Sequence, residues 1–109
     1  MRHVMLNLAN LYDDLMLWKN SSIRAGLVEA VKETGATILK VTDHEFEPVG
    51  YSCLVLLAES HASIHTFPED NTLYADFFTC SDDHDVFAFI TYMIDYFKPR
   101  EIWYEIIER

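Results

Sequence analysis

The alternation of apolar and polar positions divides the chain into strands and helices. Residues His3–Leu11 read as a first strand. Asn20, Ser21 and Ser22 offer N-caps for a helix running to about Thr34, with Ile23, Leu27, Ala30 and Val31 on one face. Gly35 is placed to end it. Ala36–Phe46 reads as a second strand, with a turn at Pro48 and Gly50. Tyr51–Ala58 is almost continuously apolar, the pattern of a strand central in a sheet. His61–Phe67 and Thr72–Thr79 follow as two more strands, joined by a turn at Pro68–Asn71. Ser81, Asp82 and Asp83 cap a second helix through about Phe97, whose apolar face is Val86, Phe89, Ile90, Met93 and Phe97. Pro99 stops that helix, and Glu101–Ile107 alternates like a half-exposed strand. The order strand, helix, four strands, helix, strand predicts an α+β two-layer sandwich: an antiparallel or mixed sheet with two helices on one face. The uncovered sheet face calls for a partner, and a homodimer supplies one.

At 109 residues, half of them hydrophobic, the chain suits one domain, 1–109, with a real core. A net charge of -10 argues against nucleic acid or an anionic membrane as partner. No apolar run approaches the roughly 20 residues that span a bilayer. The N-terminal segment is interrupted by Asn7 and Asn10 and lacks signal-peptide shape, so a cytoplasmic location is expected. Cys53 and Cys80 form no Cys-x-x-Cys motif and are expected as free thiols.

The chemistry gathers in Ala58–Cys80, AESHASIHTFPEDNTLYADFFTC. Glu59, Ser60, His61, His65, Glu69 and Cys80 bring carboxylates, a hydroxyl, two imidazoles and a thiol onto strands and tight turns, and rigid elements are where catalytic groups belong. Each also has a plainer reading. Ser60 is not in a Gly-x-Ser-x-Gly elbow, so a hydroxyl in contact with solvent is the simpler assignment. His61 and His65 share a strand face and allow a joint metal site, but further ligands are lacking and no metal is assigned. His65 alone suits a general acid or base. Cys80 reads either as a buried small hydrophobe or as a proton donor ahead of a helix N-terminus. Glu69 after Pro68 is a turn carboxylate, and Phe46 a strand-core residue.

Taken together these residues meet a family pattern. Glu59-Ser60-His61, Ser63-Ile64-His65-Thr66, Pro68-Glu69, Asp76 and Phe78-Thr79-Cys80 resemble the small prokaryotic S-adenosylmethionine decarboxylases. The resemblance extends upstream to Gly35-Ala36-Thr37-Ile38, His44, Phe46 and Ser52. It departs at Ser81, where the family usually has glycine, and at Asp70-Asn71-Thr72, where it usually has Tyr-Gly.

The resemblance implies a self-made cofactor. The Ser60 hydroxyl attacks the carbonyl of Glu59, and the chain parts between them into 1–59 and 60–109 with Ser60 converted to a pyruvoyl group. That group supplies the electron sink, through a Schiff base with the substrate amine, that ordinary side chains lack. Ser52 and His65 would assist processing, His65 as the base removing the alpha proton. Cys80 would be the catalytic proton donor, Phe46 the aromatic stacked on adenine and Glu69 the carboxylate on ribose. The implied function is decarboxylation of S-adenosylmethionine to supply the aminopropyl donor of spermidine synthesis. Relatives using the same self-processing on arginine or ornithine are the alternative, and a non-processing regulatory paralogue is another.

Overall fold

The computed structural model describes residues 1–109. Alternation builds the sheet. In β1 (Arg2–Leu11) Val4, Leu6, Leu8 and Leu11 are buried. The same phase recurs in β3 (Tyr51–Leu57) as Tyr51, Cys53, Val55 and Leu57, and in β5 (Thr72–Thr79) as Leu73, Ala75 and Phe77. With β2 (Ile38–Glu45), β4 (Ser60–Phe67) and β6 (Pro99–Glu108) they form one six-stranded sheet in the order β2-β3-β4-β5-β1-β6. Every neighbouring pair is antiparallel.

Two helices, α1 (Asn20–Glu33) and α2 (Val86–Phe97), cover the inner face. Ile23, Leu27, Ala30 and Val31 meet Val86, Phe89, Ile90, Met93 and Phe97 over the inward strand residues in one core. The two-layer α+β architecture is the one expected. The helices approach closely at Gly26, where a Cβ would lie 2.6 Å from the Tyr96 ring. Tyr96 in turn donates its hydroxyl to the Ser22 carbonyl at 2.7 Å.

Three local expectations are corrected. The N-cap of α1 is Lys19, without a side-chain bond; Asn20, Ser21 and Ser22 already lie in the helix. The cap of α2 is Asp85, which accepts from the Ala88 N–H at 3.1 Å. Ser81, Asp82 and Asp83 belong to a preceding loop, where the Ser81 hydroxyl accepts from the Asp83 N–H and so competes for the capping role. Finally, β3 lies one strand in from the edge and is buried on one face only; Leu54 (48% exposed) and Leu56 (53%) point outward. Its continuous apolar run therefore marks an apolar outer face, not a strand covered on both sides. As expected, Gly35 follows α1 at φ 86°, where glycine carries no Cβ penalty.

Candidate active site

Ser52, His61 and His65 lie on the face turned away from the helices, and Glu59, Ser60 and Cys80 lie where β3, β4 and β5 begin or end. Cross-strand register sets the rows of that face. One row runs His44, Ser52, His65, Tyr74, Asn7, Trp103, and another runs Lys40, Leu56, His61, Phe78, His3, Ile107.

The first row carries one cluster. Ser52 and His65 are register partners, and Ser52 Oγ lies 2.7 Å from His65 Nδ1. They line a cleft of about 400 Å³ together with Phe46, Val49, Gly50, Thr66, Phe67 and Glu69. Phe46 lies just past the end of β2, and its N–H donates to the Gly50 carbonyl at 2.9 Å. At 50% exposure it is not a core residue, and its ring meets His44 edge-on at 4.6 Å. Glu69 sits in a single 3-10 turn, Pro68–Asp70, closed by Asn71 in the left-handed conformation at φ 49°. Asn71 anchors that turn by accepting from the Leu15 N–H and donating to the Leu11 carbonyl.

The second cluster lies at the head of β4. Glu59 and Ser60 form the turn out of β3, and Ser60 has φ 155°, at the margin of a region that L residues seldom occupy. The Cys80 N–H donates to the Glu59 carbonyl at 3.1 Å. That carbonyl carbon lies one bond from the Ser60 nitrogen, so its oxygen is already held by a donor of the oxyanion-hole kind. The Glu59 carboxylate accepts from the Thr37 N–H at 3.2 Å and lies 3.8 Å from His84 Nε2. His84 is buried, with Nδ1 2.7 Å from Thr79 Oγ1, which also accepts the Ser81 N–H. This network fixes the loop that carries Cys80.

The two thiols differ. Burial pushes the Cys53 thiol up, and it packs in the core. Beside it, burial and then the bond from its hydroxyl to Asp43 hold the Tyr51 phenol above its usual range. Cys80 is exposed.

The structure thus gathers Phe46, Ser52, His65 and Glu69 at one place, and Glu59, Ser60 and Cys80 at another. Five residue steps along β4 carry the chain from Ser60 to His65, about 17 Å at strand spacing. Within one chain they do not meet. Two expectations change. His61 and His65 are about 13 Å apart on the strand and share no ion; His61 converges instead with Asp76 and His3. Cys80 does not stand just ahead of a helix N-terminus, because the loop 81–85 intervenes before α2 begins at Val86. Sequence reasoning missed His84, which follows the Ser81–Asp83 run, and His3, near the start of β1. No local motif marks either residue. Only strand register and the loop after β5 bring them in.

A family model for S-adenosylmethionine decarboxylase matches residues 2–109. The chain is similar to proteins named S-adenosylmethionine decarboxylase proenzyme. One, from Brevibacillus brevis, is 36% identical over 102 residues, 94% of this chain and 76% of that one. Another, from Thermosipho africanus, is 37% identical over 103 residues, 93% and 77% respectively. The crystal structure of the adenosylmethionine decarboxylase of Aquifex aeolicus superposes with TM-score 0.87 at 32% identity, covering 99% of this chain and 88% of that one. In fold alone it also matches a Trypanosoma brucei AdoMetDC monomer, with TM-score 0.73 at 19% identity over 96% of this chain and 45% of that one. By the family model, the relatives and the fold together, the chain belongs to the S-adenosylmethionine decarboxylase family.

Proposed function

We propose that this chain is a proenzyme that cleaves itself between Glu59 and Ser60, turns Ser60 into a pyruvoyl group and decarboxylates S-adenosylmethionine. Its product would be the aminopropyl donor for spermidine synthesis, made in the cytoplasm. The observation that carries the reading is the Cys80 N–H on the Glu59 carbonyl, with the Ser60 hydroxyl on the next residue. Charge developing on that oxygen during attack meets a donor already in place. The residues fit a self-derived group for the same reason: nucleophile and carbonyl share the turn between β3 and β4, and the donor stands at the end of the paired strand β5. The pyruvoyl group would supply the electron sink for the carbanion left by carbon dioxide. Cys80 would then protonate the product carbon, and its exposed thiol on an anchored loop supports that role.

The separation of His65 from Ser60 supports a homodimer. A two-fold axis through the outer sheet face sets β4 of one protomer antiparallel to β4 of its partner. The Ser60 end of each then overlies the Ser52 and His65 end of the other. Leu54, Leu56 and Trp103 give that face apolar area to bury. Partner His65 would take the alpha proton of Ser60 after the ester forms, and Phe46 and Glu69 would hold adenine and ribose. A cationic sulfonium suits such an aromatic cleft.

Neither arginine nor ornithine decarboxylation, nor a regulatory subunit, has support among the named relatives. Competition for carbon dioxide release among S-adenosylmethionine, arginine and ornithine at equal concentration tests the substrate. S-adenosylmethionine is expected to win, and Phe46→Ala to weaken its binding by about 1–3 kcal/mol, the worth of a base–aromatic stack. Release chiefly from arginine or ornithine contradicts the assignment.

A further inference from the structure

We infer that His61 is the base that takes the Ser60 hydroxyl proton in the first step of self-cleavage, with Asp76 as the residue that positions it; this rests on the self-cleavage proposed above. Ser60 Oγ lies 3.4 Å from His61 Nδ1. On the other side of the ring, His61 Nε2 lies 3.6 Å from Asp76 Oδ2. A proton on Nε2 facing the carboxylate leaves the Nδ1 lone pair directed to the hydroxyl, the division of labour a nucleophile, base and orienting acid require.

Asp76 is itself held from two strands. His3 Nε2 of β1 lies 2.7 Å from the same oxygen, and the Ser63 hydroxyl of β4 donates to the other. Phe78 supports both imidazoles from the intervening strand, its ring centre 5.0 Å from His3 and 5.6 Å from His61. The carboxylate is therefore aimed before the reaction begins.

The other candidates for this proton are less well placed. His65 of the same chain is about 17 Å along β4. The Glu59 carboxylate accepts from the Thr37 N–H and faces His84. Asp76 and His3 face His61 across the sheet; Lys40 stands in the same row beyond Leu56, and Arg109 lies over the Phe78 ring.

The step balances without a co-reactant. The Ser60 Oγ–H proton passes to His61 Nδ1 while Oγ bonds to the Glu59 carbonyl carbon. The carbonyl pair moves onto the oxygen that receives the Cys80 N–H. When that pair returns, the Glu59–Ser60 C–N bond breaks, and its electrons and the proton from His61 go to the Ser60 nitrogen. An ester and a free amine result.

The test is the rate of self-cleavage of full-length chain made by cell-free synthesis, followed by denaturing electrophoresis from pH 5 to 9. The wild-type rate is expected to rise with pH, as a step that needs an unprotonated base does. His61→Ala should slow it by about 10²–10⁴-fold, abolish that rise and respond to added imidazole. Asp76→Asn should also slow it. Circular dichroism checks that each variant keeps its sheet. His61→Ala cleaving at the wild-type rate overturns the inference alone. Slow cleavage that keeps the rise and ignores imidazole also overturns it, since that is a structural effect. A wild-type chain that never cleaves overturns both this inference and the proposed function.

Discussion

Cys80 offers two separate groups, a backbone N–H on the Glu59 carbonyl and an exposed side chain. Mutation separates them. Cys80→Ala keeps the N–H and is expected to self-cleave, while decarboxylation falls by about 10²–10⁴-fold for want of a positioned acid. Steady-state carbon dioxide release from processed variant checks this; undiminished turnover returns the thiol to a packing role. The motif residues were legible as chemistry because so many reactive types crowd between Glu59 and Cys80. Their surroundings were not. The strand pattern reads Phe46 as core and only the family resemblance makes it a ligand platform; its exposure just past β2 decides against core.

Among the elements, β4 acts as a ruler. Its odd positions turn outward and its length sets how far Ser60 stands from His65. The order of elements was legible because each apolar stripe keeps one period. Cap positions were not, since residues 81–85 hold several side chains able to cap and the bond that wins, Asp85 to Ala88, depends on where Thr79 and His84 fix the loop. Helix packing was equally hidden. Gly26 has no turn to serve, yet its missing Cβ admits the Tyr96 ring. Gly26→Ala gains up to about 1 kcal/mol of helix propensity. It meets an overpacking cost of about 1–3 kcal/mol. A net loss of stability is expected in urea unfolding, recovered when Tyr96→Leu is added. A Gly26→Ala variant more stable than wild type argues that the helices have room to separate.

The whole molecule presents a sheet with one face covered by helices and the other bare. No helix is long and apolar enough to cross a membrane. The bare face was foreseen from the element order, but its rows depend on strand register, which the linear pattern does not specify. Register splits the candidate site into two clusters about 17 Å apart, which the proposed two-fold dimer would rejoin. Mixing follows from this. Neither Ser60→Ala nor His65→Ala alone is expected to self-cleave. Co-expressed, they are expected to form mixed dimers in which His65 of the first variant serves Ser60 of the second, so a fraction of His65→Ala chains should be cut. No cutting in verified mixed dimers contradicts the shared site. The central claim, a chain that makes its own cofactor, is tested most directly by the intact mass of purified wild-type protein under denaturing conditions. Two fragments, 1–59 and 60–109, with no free amine at the start of the second, are predicted, and a single uncut chain with an unmodified serine at position 60 would contradict the account.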